Sequence, residues 1–232
     1  MNTIDKNAII LCDFDGTITK KDVNDTVFNV FGNDKNKKIE KQYINNQISG
    51  KEALKKHYLN LDISEKEFLD YILNNIKIDS YFPRFLRLIK NKELNFVVVS
   101  GGFLNYIIPL FNKYNININF EIYANKLIFK DNKIKVDFLH DIKSCHQEFG
   151  VCGNCKYKIA KKYKRMFEQI IYIGDGMTDR CVVELADFLY VKNNSRLENY
   201  CNKKDIKHIT FTSFLDLYHM FEEEKRDALS WN

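Results

Sequence analysis

At 232 residues, with 45% hydrophobic and 29% charged side chains, the chain has the size and balance of one large folded domain, or of one domain carrying an insertion. The net charge of +5 is spread through lysine-rich stretches with no dense arginine run interleaved with aromatics, which sets nucleic-acid binding aside. The longest apolar runs, 8–12 and 96–99, are far too short to span a bilayer, and the start of the chain lacks a basic stretch followed by a long apolar one. No membrane association is therefore expected, and a cytoplasmic location is.

Residues 8–12 form a continuous apolar run that ends at Asp13, the pattern of a strand buried on both faces of a parallel sheet. From about 20 to 80 the pattern becomes helical, with apolar residues three and four apart: Val23, Val27, Val30 and Phe31, then Ile39, Tyr43, Ile44 and Ile48. Ala53, Leu54, His57, Tyr58 and Leu61 continue it, followed by Phe68, Leu69, Ile72 and Leu73. Breaks fall at 49–50 and 62–64, and Ser64 with Glu67 is placed for a capping box. At this spacing Phe28, Phe31, Tyr43 and Tyr58 read as core rather than as pocket lining.

A second buried strand is predicted at 96–99, ending at Ser100, and a third at 169–173, ending at Gly174 and Asp175. Residues 120–137 read as a hairpin around Asp131 and Asn132, 156–164 as a helix, and 188–191 and 208–211 as further strands. The predicted class is α/β: a Rossmann-like open parallel sheet flanked by helices, with its site at the carboxyl ends of the strands. Residues 1–19 and 81–232 would form the core, with the hairpin on it, and 20–80 an inserted helical cap.

Four motifs fall at these strand ends or helix starts: DFDGT from Asp13, SGG from Ser100, CGNCK from Cys152 and GDGMTD from Gly174. A carboxylate at Asp13 can attack phosphorus and split one hard displacement into two easier ones. Two residues along an extended strand end, Asp15 returns to the same face, placed to protonate a leaving alkoxide and then deprotonate water. Ser100 offers a hydroxyl and Gly101 and Gly102 offer backbone N–H groups to phosphate oxygens. Lys156, at a helix start, would balance charge on the phosphoryl group and on Asp13. Asp175 and Asp179 supply carboxylates for a hard divalent ion. Cys152 and Cys155 have the spacing of zinc ligands, with His140, Cys145 and His146 close by; no second such pair exists, and reduced thiols packed in a loop are the alternative.

In order and content these motifs resemble the haloacid dehalogenase superfamily of phosphatases, and the resemblance covers nearly the whole chain. It implies Mg²⁺-dependent hydrolysis of a small phosphorylated metabolite through an aspartyl-phosphate. It also implies an ion held by the Asp13 carboxylate, the Asp15 carbonyl and Asp175, with Asp179 supporting them. A cap between the first two motifs, and Ala124 to Leu127 on the hairpin, are similar to the phosphoserine-phosphatase-like subgroup. That subgroup holds its amino-acid substrate with a cap glutamate and a cap arginine. Asp22 stands near the first position here, as a candidate substrate contact, and the first arginine of the chain is Arg84. The cysteine-rich approach to Lys156 resembles a neighbouring branch that includes 2-hydroxy-3-keto-5-methylthiopentenyl-1-phosphate phosphatases and phosphoethanolamine/phosphocholine phosphatases. Transfer to a second metabolite is a rival reaction on the same core. Phosphate binding without turnover is another, though it has no use for a proton donor at Asp15.

Overall fold

The computed structural model describes residues 4–131, 133–140 and 150–229, with the side chains of 224–229 excepted. Seven strands form one sheet in the order β4-β3-β2-β1-β5-β6-β7. They are β1 (Ala8–Cys12), β2 (Asn95–Phe103), β3 (Glu121–Lys130), β4 (Lys133–Asp137), β5 (Gln169–Gly174), β6 (Phe188–Lys192) and β7 (Ile209–Phe211). All neighbouring pairs are parallel except β3 and β4, the expected hairpin. Strand β1 lies at the centre and is buried at every residue. Its continuous apolar run follows from that position, since both faces are covered.

Alternate residues of the central strands build two cores. Ala8, Ile10, Cys12, Val98, Ile171 and Ile173 pack with α5 (Phe82–Asn91), α6 (Leu104–Lys113) and α9 (Phe214–Leu229) through residues such as Phe85, Phe111 and Phe214. Ile9, Leu11, Val97, Val99, Ile170 and Tyr172 pack on the other face with α7 (Lys156–Tyr163) and α8 (Arg196–Lys203). Beyond β1 the order reverses: β2 and β3 lie on one side, β5, β6 and β7 on the other. Such a reversal opens a crevice outside the carboxyl ends of the strands.

Between β1 and α5 the chain forms α1 (Val23–Phe31), α2 (Asp34–Ile44), α3 (Gly50–Leu59) and α4 (Glu65–Asn75). Polar side chains start them. Asp22 caps α1, Ser49 caps α3, and Ser64 with Glu67 makes the expected capping box on α4. Asn33 and Asn36 make another on α2. The chain leaves the sheet and returns to it side by side. Thr19 bridges Ile78, Lys20 N–H donates to the Lys77 carbonyl at 2.9 Å, and Asp79 N–H donates to the Ile18 carbonyl at 2.9 Å. The inner faces of these helices join the first core, with Tyr58 edge-on to Phe103 at 4.8 Å and Phe68 against Phe129 at 5.6 Å. Val30 and Ile44, apolar positions of the helical pattern, are exposed. Among the described residues no helix is long and apolar enough to cross a membrane.

Candidate active site

The strand ends deliver the motifs to one cavity of about 200 Å³, lined by Asp13, Asp15, Gly101, Gly102, Lys156 and Asp175 from the core and by Asp22, Phe28, Tyr43, Leu54 and His57 from α1–α3 and their caps. Past β1, side chains alternate. Asp13 and Asp15 face the cavity, while Phe14 between them is fully buried against Phe111. A larger recess of about 680 Å³ lies at the opposite edge, among the starts of β2 and β3, and contains none of the four motifs.

Lys156 is buried at the first residue of α7, with Nζ 2.7 Å from Asp13 Oδ1 and 2.5 Å from Asp179 Oδ1. Burial works against its charge, but the two carboxylates outweigh that and raise its pKa, so the ammonium stays charged. Asp13 is pushed up by burial, by Asp179 and by Asp175, against the pull of Lys156. Asp179 accepts four hydrogen bonds: from Lys156 Nζ and the Tyr172 hydroxyl on Oδ1, and from the N–H groups of Asp175 and Gly176 on Oδ2. Four donors saturate a carboxylate. Asp179 therefore orients Lys156 and the turn that carries Asp175.

Asp15 is held by hydroxyls. Ser100 Oγ donates to Oδ2 at 2.9 Å, and the Tyr106 hydroxyl lies 2.9 Å from both oxygens. Burial and the negative charge of Asp22 push its pKa up to about 7, although Tyr106 and Ser100 favour the ionised form. A carboxyl so placed carries a proton near neutral pH and can give it up. Ser100 is itself buried, with its hydroxyl spent on Asp15 and on the Gly102 N–H, so the cavity wall at this motif is Gly101 and Gly102. A Cβ on Gly102 would collide with the Tyr106 hydroxyl and Asp15, which explains glycine there.

Two asparagines fix this loop. Asn154 Nδ2 donates to the Ser100 carbonyl at 2.8 Å and the Tyr123 carbonyl at 3.1 Å, and Asn125 Nδ2 donates to the Gly101 carbonyl at 2.9 Å. The β2–β3 register shifts between Val99 and Phe103, so backbone groups here leave the ladder and take side-chain partners. Across the cavity Thr17 Oγ1 donates to Asp175 Oδ1, and Lys192 Nζ donates to the Gly16 carbonyl at 2.6 Å. Gly16 has φ +80°, and a side chain there would strike Asp175.

Asp22 lines the cavity while its carboxylate caps α1 through the Asp25 N–H at 2.9 Å. Burial and Asp25 push its pKa up to about 6. Phe28 and Tyr43, expected in the core, line the cavity instead, whereas Tyr58 is core as expected. Helical spacing gives the face of a residue but not whether protein or a cavity lies opposite. Arg196, at the start of α8, reaches the cavity too, 4.0 Å from Asp25. Nothing in its local sequence marks it.

Among the described residues, the group whose ligand atoms converge is Asp13, Asp175 and Asp179, all within 4.8 Å of one another. These three carboxyl groups share one buried ammonium, Lys156, which contacts Asp13 and Asp179 but not Asp175. Burial and Asp179 push Asp175 up to about 6, against the pull of Thr17, Lys156 and Lys192. Carboxylate oxygens so grouped fit a hard divalent cation. Cys152, Cys155 and His140 form no such group. The Cys155 thiol caps α7 through the Lys158 N–H, and His140 Nδ1 lies 3.0 Å from Asn154 Oδ1. Cys145 and His146 lie outside the described residues.

Residues 8–213 match the model of a family described as putative phosphatase. The chain belongs to that family. A phosphatase family is what the motifs implied. Among similar curated proteins are two named 2-hydroxy-3-keto-5-methylthiopentenyl-1-phosphate phosphatase. The one from Lysinibacillus sphaericus is 30% identical over 221 residues, covering 93% of this chain and 94% of the relative. The one from Bacillus pumilus is 29% identical, covering 95% and 93%. The fold is also that of a substrate-bound phosphoserine phosphatase (TM-score 0.68, 20% identity, 91% of this chain and 97% of the other) and of one from T. onnurineus (TM-score 0.66, 16% identity, 95% and 98%).

Proposed function

We propose that this family member is a Mg²⁺-dependent hydrolase of a small phosphomonoester, working through an aspartyl-phosphate on Asp13, with residues 20–80 as a cap over the site. The observation that carries the reading is the pairing at the end of β1: Asp13 against a buried ammonium, and two residues on a carboxyl held near its titration point. Asp13 attacks phosphorus, and Asp15 gives its proton to the departing alkoxide oxygen. Asp15, now ionised, takes a proton from the water that attacks the phosphoryl group, releasing phosphate and restoring Asp13. Lys156 offsets charge on Asp13 and the transferring group, and the Gly101 backbone N–H is left to meet its oxygens, since the Gly102 N–H is taken by Ser100 Oγ. Ser100 and Tyr106 keep Asp15 aimed. Asp13 and Asp175 would hold the Mg²⁺ ion, which supplies further charge stabilisation.

For the substrate we propose 2-hydroxy-3-keto-5-methylthiopentenyl-1-phosphate, on the names of the relatives. In the lining Asp22, Asp25 and Glu40 outnumber Arg196, which disfavours the carboxylate of phosphoserine. The test is phosphate release from this compound, phosphoserine, phosphoethanolamine and phosphocholine, with Mg²⁺ or chelator, by the wild type and Asp13→Asn. The expected result is chelator-sensitive release that Asp13→Asn abolishes, with the methylthio compound preferred. Substantial turnover by a folded Asp13→Asn protein would remove the nucleophile assignment.

A further inference from the structure

Lys192 ends β6 and lies outside the cavity lining, yet its side chain is committed to the site. β5, which delivers Asp175, lies between β6 and β1 in the sheet. The lysine therefore spans the width of β5 to reach the turn that leaves β1, where Nζ donates to the Gly16 carbonyl at 2.6 Å. Burial lowers its pKa, against the pull of Asp175 and Asp79. Drawing an ammonium out of water to meet one neutral carbonyl gains little for stability alone.

The turn it holds touches both oxygens of Asp175. Gly16 packs so closely on Oδ2 that a Cβ there would collide with it, and the buried Thr17 donates through Oγ1 to Oδ1. Inside the turn, Gly16 N–H donates to Thr19 Oγ1 at 3.0 Å and Thr19 N–H to the Phe14 carbonyl at 3.0 Å. Gly16, at φ +80°, has the backbone freedom of glycine, so a bond from outside the turn selects one setting of Gly16 and Thr17 against Asp175.

We infer that Lys192 is a positioning residue for the cation-binding carboxylates: by holding the Gly16 carbonyl it fixes the turn that aims Asp175. The inference rests on the Mg²⁺-dependent reading above and adds what sets the placement of a ligand there. Position and charge act with opposite signs. The lysine's charge is felt at Asp175, so removing the charge alone would draw a divalent cation in more tightly. Removing the bond frees the turn and with it the Asp175 carboxylate, and loss of such a supporting partner weakens metal binding about 10–100-fold. Nζ bonds the carbonyl rather than the carboxylate, so the charge effect is the weaker of the two.

Mg²⁺ binding by the substrate-free protein, titrated calorimetrically, tests it, with melts in chelator to show that each variant folds. Lys192→Met, close in length but without donor or charge, is expected to bind Mg²⁺ about tenfold more weakly while melting within a few degrees of the wild type. Lys192→Arg is expected to recover most of the affinity. Lys192→Gln, neutral and too short to reach, is expected to match Lys192→Met and replaces it should that variant not fold. In a double variant with Thr17→Val the two losses are expected not to add, since both act through one turn. Unchanged or tighter binding in folded Lys192→Met, full additivity in the double variant, or a loss that Lys192→Arg does not relieve overturns the inference. A wild type that binds no Mg²⁺ would overturn the cation reading of the site itself, and this inference with it.

Discussion

Asp15 is stabilised in its protonated form by its surroundings, and this has a measurable sign. Its pKa is about 7 in the folded chain, against 3.8 for an ordinary aspartate. Folded protein thus binds more protons than unfolded chain between these values. Its contribution to stability is fully present below the unfolded pKa and is lost as pH rises through about 7. Asparagine at this position has no such dependence. In chelator, Asp15→Asn is expected to melt several degrees above the wild type at pH 8, with a gap that shrinks toward pH 5. A gap that stays constant or widens toward acid would mean Asp15 is ionised throughout. Asp175, also raised, is common to both proteins and cancels from the comparison.

At the scale of elements, the site depends on side chains that tie loops to one another. Asn154 bonds two carbonyls, of Ser100 and Tyr123, at the point where β2 leaves the ladder. Removing it leaves two buried acceptors unmet. Asn154→Ala is expected to lower stability by about 2–4 kcal/mol in urea melts and to reduce turnover by loosening Gly101 and Gly102. Full activity in a folded variant would mean that the loop holds itself. The strands that carry Asp13, Ser100 and Asp175 were legible in the sequence, because a doubly buried strand is apolar and the polar residue after the run stands out, although β2 does not end at Ser100 as expected but runs on to Phe103. The hairpin and the α4 capping box were legible from turn residues and the Ser64–Glu67 spacing. Tyr106 and Asn154 were not. Their partners are 91 and 54 residues away, and a tyrosine at helical spacing looks like core until the strand end opposite it is known. Phe28, Tyr43 and Arg196 were missed for the same reason, since the cavity they line exists only after α1–α3 fold over the strand ends.

Across the whole molecule, the cluster of carboxyl groups at the centre is expected to make stability respond to cations. A ligand that binds only the folded state at 100 times its Kd adds ~2.7 kcal/mol. For a chain of 232 residues this corresponds to a rise of about 5–10 °C in Tm. Millimolar Mg²⁺ is expected to produce such a rise by calorimetry, and Asp175→Asn to blunt it. An equal rise in the variant would place the ion elsewhere.

The crossing at Thr19 and Ile78 has a consequence of another kind. Because the chain departs and rejoins at one point, the stretch between can be lengthened, shortened or replaced without displacing the strand ends. On the function proposed above, the half of the cavity that would hold the phosphoryl group and the half that would surround the rest of the substrate are encoded in separable stretches of chain. A lineage would then revise what it accepts by rewriting residues 20–80 while the reaction passes unchanged to the descendant, and a transplant of that stretch between relatives would carry preference with it.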